Sequence, residues 1–219
     1  MNILQRVLWG LLFLSGALGQ ERALAQHYPE TPGHLVDEAG IVSDDDREQI
    51  EDWFTELEQK TTAQVAIAIV ATTGNEPIEN YAVKLFEKWG IGQKGKDNGA
   101  LLVIAAQDHK LRIEVGYGLE GALTDALSSS IINQVITPEF KAGRFSQGVL
   151  KGAGAIVSII AKEYNVEITG HPAYAPVSRP SRNSDVIWFF VFFIIFFILA
   201  ARSRGTGGGG YWYGGGGYS

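Results

Sequence analysis

The chain contains no cysteine in its 219 residues. No disulfide can staple the fold and no thiolate can act as nucleophile or metal ligand, so a packed core must suffice. Histidine is scarce as well. His27, His34, His109 and His171 stand far apart, the first two and the last in expected loops and His109 in an expected turn. Positive charge is in deficit, with 18 Lys and Arg against 24 Asp and Glu, a net charge of −6. A mildly acidic chain is poorly matched to nucleic acid or to anionic lipid surfaces, and nucleic acid is set aside as a partner.

The two ends are organised for a membrane. Residues 1–25 carry Arg6, then the apolar run Val7–Leu18, then Ala23-Leu24-Ala25 with small residues two apart. This pattern reads as a secretory signal cleaved after Ala25, which leaves a mature chain of net charge −7. Residues 186–201, "VIWFFVFFIIFFILAA", are sixteen residues without a charge and without a polar stripe. At about 1.5 Å per residue they cover roughly 24 Å, and Trp188 with the flanking arginines can close the gap to a ~30 Å hydrocarbon core. The expectation is a transmembrane helix. A Pro-rich stalk, 169–185, precedes it, and a Gly-rich tail, 202–219, follows, with nine glycines and four aromatics from Gly205 onward. The signal orients the chain, with the main domain outside and the tail in the cytosol.

Residues 26–168 form one exported domain. Ser43 is a good N-cap, three aspartates follow it, and Ile50, Trp53, Phe54 and Leu57 recur at helical spacing. Capping and the helix dipole account for the aspartates better than a metal does. A buried strand is expected over 63–71, a helix over 77–89, strands over 100–106 and 111–115, and helices over 125–140 and 146–164. That order implies an α/β fold, with helices layered on a small mixed sheet.

Two nucleotide motifs fail on context. Gly90-x4-Gly95-Lys96 resembles a phosphate loop, but Asp97 replaces the Ser or Thr, and the helix precedes the loop instead of following it. Gly116-x-Gly118-x-x-Gly121 follows a strand, but "KLRIEV" alternates charged and apolar residues and two helices come next. With Asp108-His109 taken as a two-residue turn, Val103 faces Glu114, Leu101 faces Gly116 and Asn98 lies opposite Leu119. Asp97, Asn98, Tyr117 and Glu120 then converge at one edge of the sheet, with Asp125 a few residues on. Their oxygens suit a hard divalent cation such as Ca²⁺. A turn at Asp97–Gly99 and a capped helix at Asp125 fit the spacing slightly better.

The segments "HLVDEAGIVS", "YAVKLFEKWGIGQKGKDNGALLVIA", "LRIEVGYGLEGALTD" and "ITPEFKAGRFSQGV" together resemble the TPM domain family, in the bacterial branch with a signal peptide, one span and a Gly-rich tail. The resemblance implies a three-layer α/β/α sandwich with one C-terminal transmembrane helix. It implies divalent-cation binding, with calcium foremost, at the acidic motif positions Asp37, Asp97, Glu114 and Asp125, to which spacing adds Asn98. Two roles come with the family: support of the assembly or quality control of membrane protein complexes, or acid phosphatase activity. Localisation at the bacterial cytoplasmic membrane, main domain on the periplasmic side, follows from the ends.

Overall fold

The computed structural model describes residues 26–31 and 33–170. Among these, no helix is long and apolar enough to cross a membrane. The expected signal at 1–25, the span at 186–201 and the tail lie outside the described residues, as does the stalk beyond Gly170.

Four strands form one sheet in the order β1 (Leu35–Asp37), β2 (Gln64–Val70), β3 (Gly99–Ala105) and β4 (Lys110–Val115). The first three run parallel and β4 is antiparallel to β3. Between them lie helices α1 (Asp44–Thr61) and α2 (Ile78–Trp89). After β4 come a 3-10 turn at Tyr117–Leu119, α3 (Asp125–Ser130), a π-helical stretch Ile131–Ile136, α4 (Thr137–Lys141) and α5 (Phe145–Glu163).

The sequence reading places most of these elements correctly and misses β1. Three residues are too short for a periodic signal, and only pairing with Ile67–Ile69 of β2 makes them a strand. The β3–β4 register differs from the expectation by two residues. The connection is four residues, Ala106–His109, with His109 in the left-handed region at φ 53°, so Leu101 pairs with Glu114 and Val103 with Arg112. A shift of two preserves the faces, and Leu102, Ile104 and Ile113 share one core as expected.

Helix α1 starts where the cap predicts, the Ser43 side chain accepting from the Asp46 N–H. Its buried face is Ile50, Trp53, Phe54 and Leu57, with Thr61 added. The helix expected over 125–140 is continuous, with a π-helical stretch inside it. Pro138 has no N–H to give the Gln134 carbonyl, and just before it the Thr137 N–H reaches back five residues to Ile132. This run packs on α5 across glycines. A Cβ on Gly148 would lie 2.5 Å from Phe140, and one on Gly152 would lie 2.6 Å from Ile136. The apolar stretch of α5 is core, with Ala153, Ile156, Val157 and Ile160 buried.

Helices cover both faces of the sheet. One core joins α1, α5 and the helical run 125–141 to Leu35, Ile67, Ile69, Leu102 and Ile104, while the other joins α2 to Ala68, Val70, Leu101 and Val103. Strand β3 is therefore buried along its whole length, which explains its unbroken apolar sequence. Residues 26–30 strap α2 from outside. Tyr28 stacks on Tyr81 at 4.8 Å, the Tyr81 hydroxyl donates to the His27 carbonyl, and Trp89 Nε1 donates to the Pro29 carbonyl. Burial pushes the Tyr81 phenol well above its ordinary range.

Surface and rim carboxylates tie this frame together. Asp108 accepts from the Thr73 N–H and the Thr72 hydroxyl, Glu76 pairs with Lys84 and Tyr28, and Glu139 holds Arg144 and Lys151. Those partners hold all three carboxyls below their ordinary values. A group with a lowered folded pKa stabilises above its unfolded pKa and loses that stabilisation as pH falls through the folded one. The urea midpoint should accordingly stay level from neutral pH down and fall below about pH 4.5. Glu139→Gln should be less stable at pH 7 and show a shallower acid limb; an unchanged limb would remove Glu139 from this account.

Candidate functional site

The loop between α2 and β3 is built around one buried side chain. Asn98, 2% exposed, accepts from the Gln93 N–H at 2.9 Å through Oδ1. Its Nδ2 donates to the Thr62 carbonyl at 2.9 Å and to the Thr62 hydroxyl at 3.2 Å. Thr62 ends α1 in the left-handed region at φ 65°, a conformation that a threonine adopts only under restraint. Gly92 N–H donates to Gln64 Oε1, which fixes the other side of the loop.

The loop then locks onto the end of β4 through main chain alone. Gly118 N–H donates to the Asp97 carbonyl at 3.0 Å, and Gly116 N–H to the Gly99 carbonyl at 2.8 Å. A Cβ on Gly116 would lie 2.2 Å from the Asp97 carbonyl oxygen, and one on Gly118 would lie 2.0 Å from that of Lys96. The Gly-x-Gly pair is required by this close backbone approach and not by a phosphate. Above the lock, Asp97 is exposed at φ 50°, and the 3-10 turn presents Tyr117, 79% exposed, over the anchor Leu119.

The five expected ligand positions do not share one sphere. Asp97 and Asp125 are exposed, and neither carboxylate has a partner among the described residues. Both polar atoms of the Asn98 side chain are already used. Glu114 lies on the α2 face opposite Leu101 and takes Arg112 at 3.2 Å. The Asp37 carboxylate is fully buried, accepting from the N–H groups of Ala39, Gly40 and Val42 with Arg47 at 3.8 Å. It pairs at the level of Ile69, whereas Gly99 pairs at Gln64. Five residues of strand put it roughly 17 Å away along the sheet. Among the described residues, no three His, Asp or Glu side chains form a group that could hold a metal ion. A cation wanting six or more oxygens is therefore not served by the five as a set.

The model of the TPM domain, labelled TPM phosphatase, matches residues 35–159. The chain belongs to the TPM family. The N-terminal domain of a Porphyromonas gingivalis protein (P. gingivalis), solved in solution, is 30% identical with a TM-score of 0.56, covering 64% of this chain and 87% of that one. The BA42 protein of the psychrophilic bacterium Bizionia argentinensis is 20% identical with a TM-score of 0.50, covering 64% of this chain and 95% of that one, and shows likeness of fold alone. No curated protein matches the chain.

The TPM motifs thus divide by role. "VDEAG" is an Asp-capped turn and "DNG" with "VGYG" is a backbone lock, so much of the recognisable sequence secures the fold. What sequence reading missed is an apolar cavity of about 490 Å³ at the far end of β3, entered between α4 and the first turn of α5. Its walls come from segments distant in sequence, and the one local signal was Phe140 and Phe145 bracketing the short α4–α5 turn.

Two substitutions test the lock. Asn98→Ala strands the Gln93 N–H and the Thr62 carbonyl and should cost about 3 kcal/mol in urea unfolding, with any calcium response retained. Gly118→Ala should cost about 1–3 kcal/mol, because the atom it meets is backbone and cannot move aside. Wild-type stability in either variant would show that the loop is not held as described.

Proposed function

We propose that this TPM domain is a binding module, exported and anchored at the bacterial cytoplasmic membrane on the periplasmic side, which supports the assembly or quality control of membrane protein complexes. The observation that carries this reading is Tyr117. A tyrosine 79% exposed is held on a turn fixed by the Gly116–Gly99 bond, with exposed Asp97 bonded through its carbonyl to Gly118 and exposed Glu120 three residues on from the tyrosine. A rigid aromatic on a polar rim is the arrangement that anchors protein interfaces, since it contributes contact area at little entropic cost. The anchor in this reading is the apolar run 186–201 and the export signal is residues 1–25.

A divalent cation, calcium first, enters this reading as a weakly held ion on Asp97 and Asp125. The support is that both carboxylates are exposed and unpaired among the described residues. Asn98, Glu114 and Asp37 act in the fold instead. A second reading, acid phosphatase, is favoured by the phosphatase label of the matching family model. It would use the same Asp97.

Membranes carrying the full chain, crosslinked and solubilised, should yield other membrane proteins, and Tyr117→Ala should lower that yield roughly tenfold or more. Recovery of none, or equal recovery with the variant, overturns the binding role. Calcium should raise the melting temperature of the wild type and not of Asp97→Ala, as linkage requires of a ligand bound only by the folded state. Turnover of a phosphate ester by protein free of host phosphatases, lost in Asp97→Ala, would move the assignment to the second reading.

A further inference from the structure

The cavity of about 490 Å³ lies at the carboxyl end of β3, the end at which open α/β sheets take up ligands. Its size falls within the 300–1,000 Å³ typical of small-molecule sites. The floor is sheet: Ile104 and Ala105 are 1% and 0% exposed. The walls are Ile41 from the β1–α1 loop, Leu111 from β4, and Phe140 and Phe145, whose rings meet edge to face at 5.3 Å and 67°. Phe145 is 43% exposed, although a wholly apolar floor lies next to it. These walls are packed elements, so the cavity is pre-formed.

Its one charged side chain is Lys141. Thr137 and His109 are the other polar residues of the lining, and no acidic side chain is among them. Neither Lys141 nor His109 has a side-chain ion pair or hydrogen bond among the described residues, a state that Lys141 shares with the exposed Lys94 and Lys162, while Lys60, Lys84, Lys88, Lys151, Arg47, Arg112 and Arg144 each hold a carboxylate. The first turn of α5 is already met by a carboxylate, since Asp46 accepts from Ser146 Oγ and Gln147 Nε2, so the helix end adds no free positive charge. Within the lining itself, Lys141 is the charge a ligand head would meet. An amine head would meet Lys141 as a like charge, and an alcohol would leave it unpaired. A single flexible ammonium, with no guanidinium fork beside it, matches a monoanionic head better than a phosphate that calls for several donors.

We propose that this cavity binds a small amphiphile bearing one carboxylate, its apolar body against Ile104, Leu111, Phe140 and Phe145 and its head at Lys141. Octanoate is a suitable probe because it stays monomeric at millimolar concentration. Titrated against the full chain in phospholipid nanodiscs, with empty nanodiscs as the blank, octanoate should bind saturably and raise the melting temperature. Octan-1-ol and octylamine should bind at least tenfold more weakly. Lys141→Gln, a change on the exposed side of α4, should weaken octanoate about tenfold while leaving the unliganded melting temperature unchanged. Ala106→Phe, which fills the cavity, should abolish binding. No saturable binding to the wild type, equal affinity for octanoate and octan-1-ol, or wild-type affinity in Lys141→Gln would each overturn the proposal. So would tighter binding of an apolar tetrapeptide with a free C-terminal carboxylate, which would assign the cavity to a protein chain end.

Discussion

A single buried amide holds one end of this sheet together. Asn98 bonds to the left-handed Thr62 on one side and to the turn at Gln93 on the other, so it joins the end of α1, the loop after α2 and the start of β3. A residue held at positive φ costs of order 1 kcal/mol or more and persists only where its surroundings over-determine it. The bonds from Asn98 to Thr62 provide that restraint. Once the loop is fixed, its main chain becomes a template on which the end of β4 can be laid, and that close contact admits only glycine at 116 and 118.

The sheet imposes the second constraint. From β1 to β2 and from β2 to β3 the chain steps one strand in the same direction, yet α1 crosses one face and α2 the other. Two such crossovers have opposite hands, so one of them is the rare form. This arrangement lets a four-stranded sheet cover both its faces with consecutive helices. Its β3, paired on both edges, becomes fully buried. The N-terminal strap then closes α2 through Tyr28, the Tyr81 hydroxyl and the Trp89 indole, each donor finding an acceptor at the rim of the second core.

Legibility in the sequence followed the range of the forces involved. The face of α1 was readable because Ile50, Trp53, Phe54 and Leu57 repeat at helical spacing, and its start because Ser43 acts on a residue three away. The π-helical stretch Ile131–Ile136 lies just before Pro138, but a proline alone does not say whether a helix breaks or accommodates. Strand β1 depends on a partner some thirty residues away, so no local pattern reports it. The same limit applied to the site. Sequence placed the Asp97 loop beside Tyr117, because both follow from one hairpin, and the two-residue error in its turn left the faces intact. It could not show that Asn98 and Asp37 were already saturated, since side-chain satisfaction depends on Thr62, Gln93 and Arg47. Nor could it show a cavity whose walls come from four separated segments.

The chemistry of the domain is thereby divided between the two ends of one strand. Residue 99 starts β3 at the glycine lock under the exposed acidic loop, and Ile104 and Ala105 end it as the floor of a cationic apolar cavity. Six residue steps of strand separate them by roughly 20 Å, more than two Debye lengths at physiological salt, so charge at one end is nearly unfelt at the other. Any communication must be mechanical. It would run along β3 itself, which is buried on both faces and hydrogen-bonded on both edges, and which can shift only by moving β2 and β4 with it. A strand so constrained acts as a rigid spacer. The acidic loop and the apolar cavity are therefore separate surfaces of one scaffold, insulated from each other electrostatically and joined by a strand that does not flex.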